Sequence, residues 1–344
     1  MPNPCLIDLL REPARAAGVA EAHWNDIVVQ ATKAQMLGQL AAAIERAGCN
    51  GDVPAAVKLH LNLALLTATC RREAALWEVA TLRRAIDADT PMVVLKGCAY
   101  AACGDANAAG RLFSDIDILV PHSLLERAEG SLIGAGFNPS LVSAYDDRYY
   151  RQWMHEVPPM AHVRRHTTVD LHHAINPPVS RCHVDTAKLL PALEETSPGV
   201  FVLGATDRVI HCAIHLVQEG DAHKLLRDLY DLHLLLQQHA GTEALLATLW
   251  RRAEELGVLT LVRPAQQAAA AVFAVDGKQP KPDHWLGRCL VAAVLRTRPD
   301  PRVPLAEAVL LAHSHWIKMP LHLLVPHLVR KAWLGATTKA DDKA

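Results

Sequence analysis

Two aspartates separated by one residue are the side chains of this sequence best suited to chemistry. Asp115 and Asp117 lie in the segment Arg111-Leu-Phe-Ser-Asp-Ile-Asp-Ile-Leu-Val120, where isoleucines alternate with the carboxylates. This alternation predicts a β-strand, in which residues two apart face the same side, with Cα atoms about 7 Å apart. The pair can therefore share one or two divalent cations, Mg²⁺ or alternatively Mn²⁺, because such ions prefer carboxylate oxygens.

A third carboxylate lies farther along the chain, in Thr167-Thr-Val-Asp-Leu-His172. Polar and apolar residues alternate here too, which predicts a second strand that carries Asp170. Three neighbouring carboxylates repel one another unless a cation joins them, so Asp170 beside the other two would indicate a metal site. Asp170 would bind a second ion or accept a proton from a hydroxyl group; the alternative is a solvated surface aspartate. His172 is a weaker candidate for contacting an acceptor or a phosphate.

Donors for a phosphate group follow the predicted strand Met92–Leu95. Lys96, Gly97 and Cys98 end this strand and begin a helix, whose free backbone N–H groups favour an anion. Gly97 allows a close backbone approach, and Lys96 offers a point charge, although it could also be a plain surface lysine at the helix start.

Further donors are expected around this turn. Arg111 and Ser114 directly precede the aspartate pair and could contact a triphosphate, but Arg111 could instead pair with Asp105. Lys224 and Arg227, in a predicted helix, are weaker candidates for anion contacts.

The chain contains 19 histidines, which raises the question of a histidine metal site. We do not expect one, because no histidine pair near Asp170 sits on an evident helix beside a glutamate base. The histidines that crowd that segment are His155, His162, His166, His172 and His173. His211 and His215 are four residues apart on a predicted helix, where a half-buried pair is favoured over a zinc site.

These candidates fall in the middle of an α+β arrangement. The pattern predicts a helical N-terminal region over 1–88, a mixed β-sheet core over 89–200, a helical C-terminal domain over 201–338 and a flexible tail over 339–344. A long helix is predicted from about Ala55 to Ala88. Its buried stripe is expected to consist of Leu59, Leu63, Leu66, Cys70, Ala74 and Trp77, and to drift on to Val79 and Leu82.

Composition limits the possible partners and compartments. Lys plus Arg (35) and Asp plus Glu (36) nearly cancel, so no overall field attracts nucleic acid, and a nucleic-acid partner is not expected. The eight cysteines form no Cys-x-x-Cys motif, and the N-terminal sequence lacks signal-peptide features. No apolar run reaches the roughly 18 residues of a membrane span. We therefore expect free thiols in a cytoplasmic protein.

The segment 316–333 combines apolar residues, tryptophans and basic residues. It could lie on a membrane surface as a peripheral contact. The favoured alternative is a packed pair of C-terminal helices, broken at Pro320 and Pro326.

In combination, these motifs resemble the nucleotidyltransferase superfamily that shares the DNA polymerase β-like palm. Leu-Lys-Gly at Leu95–Gly97, the Ser-Asp-Ile-Asp strand and Val-Asp-Leu-His-His at Val169–His173 are similar to a bacterial group of uncharacterised nucleotidyltransferases. His155-Glu-Val-Pro-Pro159, Asn176-Pro-Pro178 and Leu226-Arg-Asp-Leu-Tyr-Asp231 also look like that group. Its members are often associated with polysaccharide or exosortase gene clusters. The resemblance covers about residues 90–240.

The resemblance implies a mixed β-sheet palm, a nucleoside triphosphate such as ATP as co-substrate, and a small-molecule or glycan-related acceptor. Asp115, Asp117 and Asp170 would be the metal-binding catalytic residues. This sequence departs from the superfamily at Cys98, the position after the turn glycine that usually carries a small hydroxyl residue. The resemblance implies that Lys96 compensates for the missing hydroxyl by contacting phosphate directly. Two alternatives remain: a catalytically silent nucleotide-binding module, and a toxin-like nucleotidyltransferase that modifies tRNA or protein.

Overall fold

The computed structural model describes residues 5–140, 143–274, 280–294 and 302–341. Within these residues, four α-helices precede the first strand: α1 (Leu6–Arg11), α2 (Glu21–Lys33), α3 (Leu37–Arg46) and α4 (Ala55–Ala85). The mixed region contains β1 (Met92–Val94), α5 (Lys96–Cys103), β2 (Asp115–Leu119), α6 (Leu125–Gly134), β3 (Phe137–Pro139), α7 (Ala144–Arg148), β4 (Met160–His162), β5 (Thr168–His172), β6 (Leu193–Ser197) and β7 (Val200–Leu203). The helices that follow are α8 (Ala205–Glu219), α9 (Leu225–His239), α10 (Glu243–Glu255), α11 (Leu259–Phe273), α12 (Trp285–Val294), α13 (Arg302–Lys318) and α14 (Leu321–Asp341).

The strands form one mixed sheet in the order β3-β4-β5-β2-β1-β7-β6. Its centre is the parallel pair β2 and β5, and β1 runs antiparallel to β2 on the other side. Apolar side chains of β1, β2 and β5 are buried because α4 and α6 pack on the sheet; Val94, Ile118 and Leu171 are examples. This confirms the predicted α+β class, with a mixed sheet between helical regions.

The N-terminal and C-terminal helices share a hydrophobic core. Leu9 and Ile27 from the first helices belong to the same buried cluster as Leu229, Val262 and Leu290 from the later ones. Since α1 and α11 are in direct contact, the chain returns to its N-terminal helices after completing the sheet. The sheet is thus attached to a helical body built from both ends of the sequence.

The three predicted strands are present as β1, β2 and β5, each within two residues of the expected bounds. Four further strands were not predicted. Two of them, β3 and β4, have three residues each, which is too short for a periodic pattern, and β6 is largely exposed.

The predicted buried stripe of α4 was wrong except at its end, where Val79 and Leu82 are buried as expected. Leu59, Leu63, Leu66 and Trp77 are 56–69% exposed, and Cys70 and Ala74 are exposed as well. The buried face instead carries Leu61, Ala68, Ala75, Glu78, Val79 and Leu82. Apolar residues surround much of this helix, so its packing partners, α3 and α5, decide which face is covered. Small residues such as Ala68 and Ala75 allow that close packing.

The C-terminal segment forms the helix pair α13 and α14, separated at Met319-Pro320. The predicted break at Pro326 was wrong, because this proline lies inside α14. The helix continues to Asp341, into the segment expected to be a tail, and residues 342–344 lie outside the described part. Within the described residues, no helix combines the length and the apolarity required to cross a bilayer. Contact of 316–333 with a membrane surface stays a prediction.

Candidate active site

The parallel pair β2–β5 brings the three predicted carboxylates to one cavity. Asp117 is directly opposite Asp170, and Asp115 is opposite Thr168. Neighbouring strands are about 4.8 Å apart, so side chains on the same face of opposed residues lie close together. Asp115, Asp117 and Asp170 all line the same cavity. The Ser114 hydroxyl donates a hydrogen bond to Asp115 Oδ1 at 2.9 Å and lies in the same lining.

Asp117 is the central carboxylate of this cluster. Its Oδ1 accepts a hydrogen bond from Lys96 Nζ at 2.6 Å and lies 3.0 Å from His172 Nε2. Burial alone would raise the pKa of Asp117, but the Lys96 ammonium and the His172 hydrogen bond outweigh it and hold the pKa far below its usual range. Asp117 is therefore ionised at every physiological pH.

Asp170 has the opposite environment. Its Oδ1 is buried, and no group among the described residues hydrogen-bonds to it. Burial, together with the charges of Asp117 and Glu156, raises the pKa of Asp170 to about 7. An unpartnered, buried carboxylate oxygen in the same cavity as two other carboxylates is of the kind that binds a hard divalent cation.

The turn from β1 into α5 lies directly against the carboxylates. Leu95 N donates to Asp117 O at 2.9 Å, which joins the turn to β2. Lys96 has φ of 46°, a left-handed conformation that is unfavourable for a residue with a side chain and is often found at functional sites. Lys96 and Gly97 both line the cavity. Backbone N–H groups in the first turn of α5 have no partner within the helix and are available to an anion.

Cys98 does not expose its side chain to the cavity. Its thiol is buried, and its Sγ lies 4.0 Å from Asp115 O, a backbone atom of β2. Burial raises the pKa of this thiol to about 12. Cys98 can therefore contribute to phosphate binding only through its backbone N–H.

Arg111 packs against Gly97 of the β1–α5 turn, and its guanidinium is bound by Asp231. Its Nε donates to Asp231 Oδ2 at 2.8 Å, so the alternative pairing with Asp105 was wrong. Asp105 instead pairs with Arg208 and His239. A Cβ atom on Gly97 would lie 2.7 Å from Arg111 Nη1, so the absence of a side chain at Gly97 leaves the space that the guanidinium occupies. Arg111 supports the turn and also lines the cavity.

The cavity has a volume of about 630 Å³ and contains basic and aromatic groups besides the acids. Lys224 and Arg227 belong to its lining, and their contact with an anion stays a prediction. Both have acidic neighbours: Lys224 Nζ lies 3.6 Å from Glu219, and Arg227 binds Asp228 at 2.8 Å.

Several lining residues were not predicted as site residues: Tyr149, Tyr150, His155, Glu156, His215, Lys318 and Lys331. The segment that contains His155 and Glu156 resembles the family, but the spacing of these residues in the sequence does not predict that they lie near His172. Tyr149 stacks on His327 of α14 with ring centroids 4.3 Å apart, so the C-terminal helix forms part of the cavity wall. His172 is itself fully buried and reaches the cluster through Asp117.

The chain matches the model of one protein family. A family model described as "Uncharacterised nucleotidyltransferase" matches residues 20–274, which is more than half of the 344-residue chain. Neither the curated proteins nor the solved structures contain a significant match. The matched range includes β1, α5, β2 and β5, and hence every carboxylate of the cluster.

Proposed function

Because this chain belongs to that uncharacterised nucleotidyltransferase family, we propose that it moves a nucleoside monophosphate from a nucleoside triphosphate to a hydroxyl, amine or phosphate acceptor and releases pyrophosphate. The observation that carries this proposal is the convergence of Asp115, Asp117 and Asp170 on one cavity, with Asp170 Oδ1 buried and unpartnered.

Asp115, Asp117 and Asp170 are the residues that would hold a divalent cation. A bound Mg²⁺, or Mn²⁺ in its place, would neutralise charge on the triphosphate and orient it for in-line attack. In the absence of a cation, the Lys96 ammonium neutralises Asp117 at 2.6 Å. With a nucleotide present, the same ammonium is close enough to the turn to contact a phosphate.

The triphosphate would lie against the β1–α5 turn. Backbone N–H groups of Gly97 and Cys98 would contact a phosphate oxygen, and the Ser114 hydroxyl adds a donor. Lys224 and Arg227 would bind the outer phosphates, because both line the same cavity.

The acceptor would occupy the part of the cavity lined by aromatic rings. In the alternative in which Asp170 does not bind the cation, it would accept the proton of an attacking hydroxyl, since its cation-free pKa of about 7 suits a general base near neutral pH. Tyr149 and Tyr150 supply ring faces and hydroxyl groups of the kind that bind sugars and other small molecules. A small-molecule or glycan-related acceptor agrees with this lining. The resemblance to the family implies that the pathway is polysaccharide or exosortase-related.

We propose that the core over 89–200 carries the chemistry, and that the helical regions over 1–88 and 201–338 complete the cavity. A reducing, cytoplasmic compartment is supported by the eight cysteines, all of which are free thiols.

The test is transfer of label from α-³²P nucleoside triphosphates to total RNA, protein and small-metabolite fractions, with Mg²⁺ or Mn²⁺ and with pyrophosphate release measured in parallel. We expect label in the small-metabolite fraction and a loss of about 10³-fold or more in Asp117→Asn. Label in RNA or protein would support the toxin-like alternative. Triphosphate binding without pyrophosphate release, with every acceptor fraction, would support the silent binding module.

A matched control is Asp26→Asn, because Asp26 is an exposed carboxylate on α2 outside the cavity lining. It should retain full activity. Equal activity in Asp117→Asn and wild type would rule out the proposed site.

A further inference from the structure

Three residues beside the carboxylate cluster are held together by the backbone. Glu156 and His172 form an isolated antiparallel bridge, and Val157 N donates to Leu171 O at 3.0 Å. The His155 carbonyl accepts a hydrogen bond from His173 N at 2.8 Å. The backbone of segment 155–157 is therefore fixed along the end of β5, beside His172.

The side chains of His155, Glu156 and His172 converge. One ligand atom from each lies within 4.8 Å of the other two. His172 Nδ1 and Glu156 Oε2 are 3.5 Å apart. Two ligands of a tetrahedral metal with bonds of about 2.1 Å are about 3.4 Å apart, so this pair already has the required separation. The two imidazole rings lie near one another, with centroids 5.1 Å apart.

The free nitrogen atoms of both histidines are buried without a hydrogen-bond partner. His172 is fully buried; its Nε2–H donates to Asp117, and its Nδ1 has no hydrogen-bond partner, with Glu156 Oε2 3.5 Å away. His155 Nδ1 is likewise buried and unpartnered. Unsatisfied buried nitrogens are costly unless a ligand binds them. A carboxylate that binds the distal nitrogen of a histidine is also the usual second contact of a metal-bound imidazole.

We propose that His155, Glu156 and His172 form a second metal site, distinct from the carboxylate cluster, for a divalent transition-metal ion such as Zn²⁺. Two imidazole nitrogens and one carboxylate favour Zn²⁺ over Mg²⁺, which prefers oxygen ligands. His155 and Glu156 line the cavity, so the remaining coordination position is accessible to a phosphate or hydroxyl oxygen of a substrate. Asp117 contacts both sites, as a carboxylate of the first and as the hydrogen-bond partner of His172 in the second.

The experiment is a titration of the full-length, chelator-treated protein with Zn²⁺ in the presence of excess Mg²⁺, followed by calorimetry, with visible absorption of a Co²⁺-loaded sample as a second readout. We expect saturation near one equivalent, and Co²⁺ bands of a nitrogen-ligated ion. His155→Ala and Glu156→Gln should each weaken Zn²⁺ binding at least about tenfold. Neither readout depends on catalysis, so failure here leaves the proposed transferase untouched.

Two controls separate this site from its surroundings. His60→Ala removes an exposed histidine of α4 and should bind Zn²⁺ as wild type does. Asp115→Asn disables the carboxylate cluster and should still bind one equivalent. Circular dichroism of each metal-free variant verifies its fold, and Glu156→Gln keeps the side-chain shape if His155→Ala unfolds. Absence of saturation would overturn the proposal, as would unchanged binding in His155→Ala and Glu156→Gln or a loss confined to Asp115→Asn.

Discussion

At the scale of single residues, the two opposed aspartates of β2 and β5 have opposite electrostatic environments. Asp117 is stabilised as an anion by Lys96 and His172, whereas Asp170 is buried near other carboxylates without a compensating donor. Such a difference is typical of an active site, where one group binds a charge and its neighbour exchanges a proton. It also means that Asp170 lowers the stability of the metal-free protein.

The variant Asp170→Asn should therefore stabilise the metal-free protein. The pKa of Asp170 is raised from 3.8 to about 7, so the unfavourable ionisation is absent below about pH 4, grows as the pH rises, and is complete above about pH 7. In EDTA we expect the Tm of Asp170→Asn to exceed that of wild type by a few degrees at about pH 8, with the difference vanishing at about pH 4.

Thermal melts across this pH range provide the measurement. Asp147→Asn serves as the control, because Asp147 lies at the surface in an exposed ion pair and should change the Tm little at either pH. A lower Tm of Asp170→Asn at about pH 8 would show that the carboxylate is satisfied in the folded protein.

At the scale of elements, the loop that leads into β2 makes a close backbone contact with α3. Gly110, in the loop before β2, has φ of +71°, and a Cβ atom there would lie 2.0 Å from Gly38 O. A side chain at Gly110 would thus both strain the backbone and push α3 away.

We expect Gly110→Ala to lower the free energy of unfolding by about 2–4 kcal/mol, because backbone atoms cannot yield to a new Cβ. Gly130→Ala is the matched control: Gly130 lies within α6, with nothing within 4 Å of the added Cβ. That substitution should be neutral or stabilise by about 0.5–1 kcal/mol. Urea unfolding measures the free energy of unfolding of both variants. Similar midpoints for Gly110→Ala and Gly130→Ala would contradict the close contact between Gly110 and Gly38.

At the scale of the whole molecule, Asp231 joins parts of the chain that are far apart in sequence. It accepts a hydrogen bond from Gln39 Nε2 of α3 and one from Arg111 Nε, both at 2.8 Å, while lying itself on α9. Arg111 in turn lies under the Gly97 turn of the candidate site. The helical body and the sheet are therefore coupled at this buried carboxylate.

Asp231→Asn should leave the Arg111 guanidinium buried without its counter-charge. We expect a loss of about 3–5 kcal/mol in the free energy of unfolding, and a higher KM for the nucleotide because the turn loses its support. By contrast, Glu12→Gln breaks an exposed pair with Arg15 and should cost about 1 kcal/mol or less. Denaturant midpoints and steady-state kinetics measure both effects. An equal loss of free energy of unfolding in Asp231→Asn and Glu12→Gln would show that Asp231 does not couple the helices to the sheet.

The sequence by itself determined the fold class, the three main strands and the identity of the three aspartates, because alternation of polar and apolar residues along a strand is a local property. It also identified Lys96 and Gly97 as a turn beside them.

Only the tertiary structure decided the rest. Arg111 binds Asp231, which lies 120 residues away in the sequence. The buried face of α4 is the one that neighbouring helices cover, not the one with most leucines. The group of His155, Glu156 and His172 has no characteristic spacing, since a bridge between separate segments assembles it. Contacts of this kind depend on how elements pack, and no local pattern of residues encodes that.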